Sequence, residues 1–339
     1  MRYERIAWIG AVLILIGGAC GHGMAAETTM DKPVLIEVRK IWDQAEHSAF
    51  TDLIRFKDYW FCTFREADSH VGGRDGRIRV ITSSDGRDWA SAALIAESGV
   101  DLRDPKLSVT PDGRLMIVAG GSVYRERQLV GRQPRVCFSA DGRDWTAPMP
   151  VCESGDWLWR VTWHDGVAWG VSYRAGAPEG EVLALMRSSD GLRYERVCPL
   201  DLTGRPNETT LRFRPDGTML ALVRREADNR HAMIGSSRPP YTEWTWHDTG
   251  HRVGGPNFVI LPDGRMCAAG RSYPGGARTV LAHLTPTAYE PVLTLPSGGD
   301  TSYPGLVWHE GLLWMSYYSS REGKTSIYLA RIRLPQGRD

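Results

Sequence analysis

A tight turn that recurs six times, each time between two short apolar segments, constrains the fold more than any other feature of the sequence. The turns are Phe56-Lys57-Asp58, Pro111-Asp112-Gly113, His164-Asp165-Gly166, Pro215-Asp216-Gly217, Pro262-Asp263-Gly264 and His309-Glu310-Gly311. Their middle residues are 55, 53, 51, 47 and 47 positions apart. A regular period of this size built on hairpins is typical of a β-propeller, whose blades are small antiparallel sheets around a central well. Because equivalent positions of every blade line that well, the period also predicts which residues meet there.

The composition fits one soluble all-β domain. The chain has 339 residues, of which 42% are apolar and 24% charged, with a net charge of +1. Its 13 tryptophans and 37 glycines suit strands joined by tight turns. A nearly neutral chain argues against a dedicated nucleic-acid binder, and we expect no nucleic-acid partner.

Each repeat is predicted to contain four strands, and the sixth repeat lacks one. The predicted segments are Ala49–Phe56, Trp60–Arg65, Ile78–Ser83 and a strand from Leu94 in blade one, then Asp101–Cys152, Trp157–Leu200, Pro206–Asp248, Gly254–Leu295 and Asp300 onward. The unassigned strand Val34–Trp42 is predicted to become the outer strand of blade six, because this would close the ring and remove an exposed edge. We therefore predict an all-β, six-bladed propeller.

The N-terminus has the pattern of a targeting segment. Two arginines precede the apolar run Ile6–Ile16, which is too short to span a membrane and is followed by small residues. Residues 1–26 are predicted to be a signal peptide and residues 27–339 a single propeller domain. An alternative makes Cys20 a lipid-modified first residue. Either alternative predicts export to the periplasm or the extracellular space, without a membrane-spanning segment.

Five cysteines follow the predicted cleavage site, namely Cys62, Cys137, Cys152, Cys198 and Cys267. None of them shows CxxC spacing, so neither a zinc site nor a redox site is predicted. Cys152 and Cys198 end equivalent strands of neighbouring blades, and a disulfide between them is one possibility. The sequence contains no nucleotide-binding loop, and we expect no cofactor and no metal.

Three repeats carry the same turn before their last strand. The turns are Ser83-Ser84-Asp85-Gly86-Arg87-Asp88-Trp89, Ser139-Ala140-Asp141-Gly142-Arg143-Asp144-Trp145 and Ser188-Ser189-Asp190-Gly191-Leu192-Arg193-Tyr194. In each turn we expect the aspartate to cap backbone amides, the glycine to adopt a left-handed conformation and the aromatic ring to pack between blades. These acids are therefore interpreted as structural.

Turns of this type resemble the Asp-boxes of the sialidase superfamily, whose fold is a six-bladed propeller. The turns here are one residue shorter, and the resemblance extends over about 300 residues as a repeat pattern. Because Asp-boxes also occur in unrelated propellers, the turns support the fold more than a function.

The register of the repeat predicts which polar residues line the well. The starts of the first strands supply Asp52, Arg103, Asp104, Arg160, Asn207, Glu208, Asn257 and Tyr303. The ends of the second strands supply Arg65, Glu66, Tyr173, Arg174, Arg224, Arg225, Glu226, Arg271, Tyr317 and Tyr318, and the first loop adds Asp68 and His70. Strand ends are polar in many proteins, but so many arginines beside carboxylates and tyrosines suit an anionic sugar.

The resemblance implies particular roles for blades four to six. Asn207-Glu208 followed by Arg224, then Arg271, then Tyr303-Pro304-Gly305-Leu306 are similar to the sialidase series. By this resemblance Tyr303 is the nucleophile, Glu208 its base, and Arg224 and Arg271 bind the substrate carboxylate. A neutral nucleophile avoids repulsion from that carboxylate.

Blade one departs from the family pattern. Sialidases carry an arginine at its start, whereas Ser48–Leu53 has none and Ala49 stands at that position. Arg65 or Arg103 is a candidate replacement. The predicted substrate-binding residues are therefore Arg224, Arg271, Arg65, Arg103, Asp52, Asp104, Arg174, Asn257 and Tyr318.

The catalytic acid has more than one candidate in the loop after the second strand. Asp68 and His70 are the main candidates, Asp75 is a further one, and His47 lies near the strand start. We predict a monomeric, secreted, sialidase-like exo-glycosidase acting on a sialic-acid-like or uronic sugar. The alternatives are a polysaccharide lyase, which needs a tyrosine or histidine base and an arginine, and a non-catalytic propeller that binds glycans.

Overall fold

A computed structural model describes residues 32–174 and 183–336 of the chain. The predicted signal peptide, including Cys20, lies outside the described residues. The described part contains 24 β-strands and no helix. Accordingly, it includes no helix with the length and apolar character needed to cross a bilayer.

Six four-stranded antiparallel units form the blades, and in blades one to five the strands follow chain order from the well outward. A single parallel pairing of His47 with Thr325 joins blades one and six, so the six blades belong to five sheets. Blade one contains β2 (His47–Phe56), β3 (Tyr59–Ala67), β4 (Arg77–Ser83) and β5 (Ala90–Ile95). Blade two contains β6 (Asp101–Val109), β7 (Leu115–Arg125), β8 (Gln128–Ser139) and β9 (Met149–Pro150). Blade three contains β10 (Trp157–His164), β11 (Val167–Tyr173), β12 (Leu183–Ser188) and β13 (Glu195–Pro199).

The remaining blades repeat this order, except for the last outer strand. Blade four contains β14 (Pro206–Phe213), β15 (Met219–Arg225), β16 (Met233–Ser237) and β17 (Thr245–Asp248). Blade five contains β18 (Gly254–Ile260), β19 (Met266–Ser272), β20 (Arg278–Leu284) and β21 (Tyr289–Thr294). Blade six contains β22 (Thr301–His309), β23 (Leu312–Glu322), β24 (Lys324–Arg333) and β1 (Val34–Trp42).

The ring closes as the sequence predicted. Strand β1 pairs antiparallel with β24, from Val34 opposite Arg333 to Trp42 opposite Ile327. The predicted six-bladed, all-β propeller is thereby confirmed. The outer strand of blade one begins at Ala90, four residues before the predicted Leu94. Its first residues are exposed alanines and a serine, so no apolar alternation marks the start of the strand in the sequence.

The inner strands pack closely around the well. Strand β22 approaches β2 so tightly that a Cβ atom on Gly305 would lie 2.2 Å from the backbone nitrogen of Leu53. Farther out, aromatic rings fill the space between blades, and the Trp60 and Trp314 ring centroids are 4.5 Å apart. The buried apolar side chains thus form six clusters around the well, one between each pair of neighbouring blades.

The three shared turns have the hydrogen bonds expected of them. In the first turn, Asp85 accepts from the backbone amides of Arg87 and Asp88 at 2.8 and 3.1 Å, and Gly86 has a φ of 73°. These amide hydrogen bonds lower the pKa of the exposed Asp85 carboxyl to about 2. The aromatic ring of the turn, Trp89, packs against the core. The turn is therefore a structural element of the blade edge.

Each inner strand carries a β-bulge at the same position. In β2 the pairing with β3 shifts between Ala49 and Asp52, and the other five inner strands shift at the equivalent place. The bulged pairs are Phe50-Thr51, Asp104-Pro105, Trp159-Arg160, Asn207-Glu208, Gly255-Pro256 and Tyr303-Pro304. The first residue has a left-handed backbone in four of them, with φ of 64° at Phe50, 49° at Asp104, 59° at Gly255 and 52° at Tyr303. Bulges re-aim side chains, and this ring of bulges defines the front mouth of the well.

The five cysteines within the described residues are all free thiols. The disulfide considered between Cys152 and Cys198 is therefore absent. Burial raises the pKa of Cys62 well above its ordinary value and that of Cys152 to about 12. These thiols remain protonated and act as small apolar side chains.

Candidate functional site

The front mouth is centred on a hydrogen-bonded group of Tyr303, Glu208 and Arg224. The Tyr303 hydroxyl donates to Glu208 Oε1. Arg224 Nη1 lies 3.0 Å from the Tyr303 oxygen and 2.7 Å from Glu208 Oε2. The backbone N–H of Gly255 donates to the same Oε2 at 3.0 Å. Tyr303 and Glu208 both belong to bulged pairs of inner strands, and Arg224 lies opposite the bulge of β14.

The electrostatics keep Tyr303 neutral until a proton acceptor takes its proton. Burial raises the pKa of the Tyr303 phenol well above its ordinary value, the charge of Glu208 raises it further, and Arg224 opposes both. Burial alone would lower the pKa of Arg224, but the carboxylate of Glu208 raises it, so the guanidinium stays charged. A phenolate formed on Tyr303 would therefore be stabilised by a fixed cation.

A second carboxylate fixes the orientation of Arg224. Glu226 Oε1 accepts from Arg224 Nε at 2.5 Å, and Glu226 Oε2 accepts from Arg252 Nη2 at 2.6 Å. The Arg252 guanidinium in turn lies 3.8 Å from the centre of the Tyr273 ring. This chain of contacts leaves Nη1 of Arg224 directed at Tyr303 and Glu208.

A neighbouring group contains Arg271, Asp300 and Tyr318. Arg271 Nη2 lies 3.1 Å from Asp300 Oδ1 and 2.7 Å from the Tyr318 hydroxyl, which itself donates to Asp300 Oδ1 at 2.9 Å. Arg271 Nε donates to the carbonyl of Thr301 at 2.7 Å. The guanidinium is 5.7 Å from the centre of the Tyr303 ring, so the two groups adjoin.

Two histidines complete this second group. Asp300 Oδ2 lies 2.6 Å from His70 Nδ1 and 3.2 Å from His47 Nε2. Burial opposes ionisation of Asp300, but the hydrogen bonds from both histidines hold the pKa of its carboxyl well below the usual range. His47 is buried, whereas the His70 side chain is 49% exposed and can meet a ligand. The ligand atoms of these three residues lie within 4.8 Å of one another, a donor set that could also take a divalent transition metal.

A buried ion-pair network anchors the loop that carries His70. Asp101 accepts from Arg65 Nε at 2.8 Å and from Arg103 Nη1 at 3.1 Å. Arg65 then donates to the carbonyl of Ser69, and Arg103 donates to the carbonyl of His70 at 2.9 Å. Both arginines therefore position the loop, and Asp101 is the ion-pair partner that they share.

Asp104 and Lys106 lie deeper in the well. Burial raises the pKa of the Asp104 carboxyl despite the nearby charges of Arg103 and Lys106. Burial also lowers the pKa of Lys106 to about 8. Lys106 Nζ lies 3.3 Å from the carbonyl of Thr51 and 5.6 Å from the centre of the Tyr303 ring. Lys106 thus gives the well a side chain that can exchange its proton near pH 8.

One wall of the front mouth is aromatic. The Phe50 ring centre lies 5.0 Å from that of Tyr303, 5.1 Å from that of His70 and 5.5 Å from that of Tyr318. On the other side, the Trp159 ring centre is 6.1 Å from that of Tyr303. Phe50 occupies the bulge position in blade one that Tyr303 occupies in blade six. Blade one thus has an apolar ring where the neighbouring blade six has a phenol.

Arg224 and Arg271 are the two arginines predicted to bind a substrate carboxylate, and blade one adds no third arginine to them. Ala49 is fully buried, and the candidate replacements Arg65 and Arg103 are bound to Asp101. The front mouth therefore contains two arginines adjacent to Tyr303, each with a carboxylate partner of its own.

Several predicted site residues lie elsewhere. Asp68 accepts from the backbone N–H of Arg74 at 3.0 Å, and none of its described hydrogen bonds is to Tyr303, Glu208 or Arg224. Asp75 is exposed on the same loop. Arg174 is paired with Asp156 at 2.7 Å and with a second carboxylate in the same loop. None of these three side chains shares a described contact with Tyr303.

Asp52 and Asn257 face the other end of the well. Asp52 forms an ion pair with Arg160 at 2.9 Å, and Asn257 Oδ1 accepts from Arg212 Nη2 at 2.9 Å. All four side chains line a cavity at the far ends of the inner strands, here called the back mouth. The sequence register assigned Asp52 and Asn257 to one end of the well together with the other candidates, whereas the structure places both at the back mouth, because the bulge turns the following residue away from the front mouth.

Two residues of the front mouth were missing from the predicted site. Asp300, which links both histidines to Arg271, directly precedes β22. An acid immediately before an inner strand was the available signal. Lys106, two residues after the Asp104 bulge position, was hidden because a lysine in an inner strand suggests a solvent-facing position, whereas its side chain is fully buried.

Comparisons with known proteins support the fold. No family model and no curated protein sequence matches the chain. Among solved structures, a protein of unknown function from Dyadobacter fermentans superposes with a TM-score of 0.77 at 18% identity, covering 90% of this chain and 100% of its own. Trypanosoma rangeli sialidase in complex with the inhibitor DANA gives 0.66 at 13% identity, covering 85% of this chain.

An α-L-arabinofuranosidase from Fusarium graminearum gives a TM-score of 0.69 at 14% identity, covering 90% of this chain and 99% of its own. This chain spans 55% of the length of the sialidase chain that it matches. The chain thus has the sialidase-like six-bladed propeller fold, which is shared by enzymes that act on different sugars.

Proposed function

We propose that this propeller is an exo-acting glycoside hydrolase in which Tyr303 is the nucleophile. The observation that carries the proposal is the Tyr303 hydroxyl, held between Glu208 Oε1 and Arg224 Nη1. A buried phenol between a base and a fixed cation has the arrangement that a tyrosine nucleophile requires. The structurally similar proteins include a sialidase and an arabinofuranosidase, and this similarity supports a sugar as the substrate.

In the first step Tyr303 attacks the anomeric carbon of the terminal sugar. Glu208 takes the phenolic proton, a covalent bond forms between the Tyr303 oxygen and the anomeric carbon, and the glycosidic C–O bond breaks. Arg224 stabilises the charge that develops on the phenolic oxygen as the proton leaves. Glu208 is the only carboxylate that accepts from this hydroxyl in the described hydrogen bonds, so it is assigned as the base.

The leaving-group oxygen needs a proton, and His70 is assigned as its donor. With hydrogen on Nδ1 facing Asp300 Oδ2 at 2.6 Å, the ring exchanges its catalytic proton at Nε2. Asp300 thereby orients the ring as the buried aspartate does in a serine-protease triad. In the second step His70 accepts a proton from water, the water oxygen bonds to the anomeric carbon, and the Tyr303–sugar bond breaks. Glu208 returns the proton to Tyr303.

The proposed substrate is a terminal sugar with a carboxylate, of the uronic or sialic-acid type. Arg271, whose side chain is partly exposed, would bind the carboxylate, and the buried Tyr318 hydroxyl would hold its guanidinium in place. With two arginines beside Tyr303 instead of three, we expect weaker selection for sialic acid than for a smaller acidic sugar. The N-terminal segment supports export of the enzyme, so the substrate is proposed to lie outside the cytoplasm.

The test is hydrolysis of aryl uronides, aryl sialosides and, as a neutral comparison, aryl arabinofuranosides by the wild type and by Tyr303→Phe. We expect turnover of an acidic substrate by the wild type and a loss of at least about 1000-fold in kcat for the variant. Tyr317→Phe is the matched control, because its buried hydroxyl donates to the Pro296 carbonyl away from the site. Equal rates for Tyr303→Phe and wild type would contradict the mechanism. Turnover of the neutral substrate alone would overturn the carboxylate assignment but keep the nucleophile.

A uronate lyase is the second candidate function. It is favoured by the 2.7 Å contact between Arg271 and the Tyr318 hydroxyl with His70 nearby, because a lyase needs a tyrosine or histidine base and a cation beside the uronate carboxylate. New ultraviolet absorbance on digestion of uronate polymers, lost in Tyr318→Phe, would identify it. Binding of acidic glycans with neither product would instead support a glycan-binding propeller.

A further inference from the structure

The back mouth of the well is a cavity at the other end of the inner strands from the Tyr303 group. It is lined by the far ends of the inner strands and has a volume of about 770 Å³. Its charged lining side chains are Asp52, Arg55, Arg160, Arg212 and Arg214. Four arginines against one aspartate leave a surplus of three positive charges, whereas the whole chain carries only +1. Such a concentration of positive charge in one cavity requires a physical explanation.

The charge surplus extends to the buried floor. Asp52 neutralises Arg160 through two contacts of 2.9 and 3.3 Å. Arg212 has only neutral hydrogen-bond partners among those described, namely Thr162, the Leu211 carbonyl and Asn257. Burial and the neighbouring Arg160 lower the pKa of Arg212 to about 9. A guanidinium in this position is costly unless an anion from outside the chain accompanies it.

Arg160 also has unused hydrogen-bonding capacity. It is 4% exposed, and its Nε has no hydrogen-bond partner in the part of the chain that the structure describes. The floor of the cavity therefore combines the Arg160 guanidinium, which is paired with Asp52, with the half-buried Arg212 guanidinium, which has no ion-pair partner of its own among the described residues. Guanidinium pairs of this kind bind carboxylates, sulfates and phosphates through directed N–H donors.

The walls of the back mouth are apolar and flat. The rings of His164 and Phe213 stack with centres 4.0 Å apart and planes inclined by 10°, and Trp308 lies on the wall as well. Aromatic walls around a polar floor are typical of a small-molecule site. The geometry points to a second binding site at the back mouth for a small, ring-sized ligand that carries an oxyanion, with Arg212 and Arg160 at the anion and Phe213 and Trp308 at the ring.

The site is connected to the strand that carries Tyr303. Asn257 accepts from Arg212 through Oδ1 and donates through Nδ2 to the Pro304 carbonyl at 2.9 Å. Pro304 is the second residue of the Tyr303 bulge. The binding proposal itself does not rest on the proposed hydrolase activity, because none of its residues contacts the Tyr303 hydroxyl.

Isothermal titration of the full chain at low ionic strength tests the site, with inorganic sulfate, acetate, glucuronate and neutral glucose as probes. We expect saturable binding of glucuronate at about one site beyond any at the front mouth, weaker binding of sulfate and acetate, and none of glucose. Tyr303→Phe and Arg271→Gln should retain this site, which separates it from the front mouth. Arg212→Gln should lower the affinity at least about 10-fold, the loss of one charge-assisted contact.

Arg278→Gln is the matched control, since Arg278 is exposed and lies outside the back mouth. If Arg212→Gln does not fold, the double variant Arg55→Gln/Arg214→Gln, at more exposed positions, should weaken binding by a similar factor. Unchanged binding in the folded Arg212 variant or in the double variant would overturn the proposal. So would an equal loss in Arg278→Gln, which would indicate non-specific attraction, or the complete loss of saturable binding in Arg271→Gln.

Discussion

Tyr303 and Glu208 are separated by 95 residues in the chain and share a hydrogen bond across the well. Each is aimed by the bulge of its own inner strand, one in blade six and one in blade four. The pair is therefore a product of ring geometry and not of local sequence. Its chemistry depends on two properties, namely a base that can accept the phenolic proton and an unobstructed position for the ring.

Replacing Glu208 by Gln tests the base. The amide keeps the size of the side chain but cannot take the Tyr303 proton, so we expect kcat to fall by about 100- to 10,000-fold while the fold is kept. The measurement is steady-state hydrolysis of the substrate identified for the wild type, with circular dichroism to check the fold. Glu195→Gln, which changes an exposed carboxylate on an outer strand, should leave kcat unchanged. A Glu208→Gln variant as active as the Glu195 control would remove Glu208 from the mechanism.

Replacing His70 by Gln tests the general acid. In the proposed mechanism His70 protonates the leaving oxygen, so the loss of rate should be large for substrates with poor leaving groups and small for aryl glycosides whose phenol leaves without a proton. The slope of log kcat/KM against leaving-group pKa should therefore become steeper. Asp68→Asn changes the other candidate acid, which is bound to Arg74, and should leave that slope as in the wild type. The reverse pattern would assign the acid to Asp68.

Lys106→Met should change how stability depends on pH. Burial lowers the pKa of Lys106 from 10.5 to about 8. Below pH 8 the folded and unfolded chains both carry the proton, and the buried charge costs the full penalty. Between about 8 and 10.5 the unfolded chain binds more protons, so the stability contributed at this site rises with pH.

The quantity to follow is the free energy of unfolding of the wild type minus that of Lys106→Met. This difference should increase from pH 7 to pH 10.5 by an amount on the order of 3 kcal/mol. Urea denaturation at a series of pH values measures it. Lys57→Met, at an exposed turn position, supplies the comparison and should give a nearly flat difference. A flat difference for Lys106 as well would mean that the ammonium is not buried as a cation.

Gly255→Ala should displace Tyr303. Gly255 has a φ of 59°, and a Cβ there would lie 2.6 Å from Cδ2 of the tyrosine ring. We expect strain to lower the free energy of unfolding by about 1–3 kcal/mol. Because the Tyr303 ring is displaced as well, kcat should fall by a larger fraction than the free energy of unfolding does. Gly264→Ala introduces a similar positive-φ strain, with φ of 83°, where no atom lies within 4 Å of the new Cβ. Thermal melting and kcat of both variants separate the two effects, and equal kcat values would contradict the steric argument.

Much of the fold was predictable because short segments of sequence mark each repeat. Turns such as Pro262-Asp263-Gly264 mark each hairpin, and the length of the period limits the architecture. The closing role of Val34–Trp42 also followed from counting strands. Blade six lacked an outer strand and Val34–Trp42 belonged to no blade, so pairing the two was the simplest arrangement, and β1 does pair with β24.

The site was predictable in part, for a physical reason. Glu208 and Tyr303 lie in the bulged pairs of their inner strands, Arg224 and Arg271 lie near the ends of second strands, and the repeat brings all four to one well. The bulges add a residue to each inner strand, and this extra residue decides whether a side chain faces the front mouth, as Asp104 does, or the back mouth, as Asp52 does. Nothing in the local sequence marks that decision. Contacts of Asp300 with His47 and His70 join the first and last blades, and only the closed ring creates them.

The closure of blade six also has a consequence for how the protein is made. Glu37 of β1 forms an ion pair with Arg331 of β24, a residue synthesised 294 positions later. During vectorial synthesis β1 must therefore wait, unpaired, until nearly the whole chain has emerged. Its charged residues, including Arg39 and Lys40 as well as Glu37, suit a strand that spends this time as an open edge, because charges discourage pairing with other chains. Ring closure is accordingly a late step of biogenesis, and chains cut short before β24 should persist as open, association-prone intermediates.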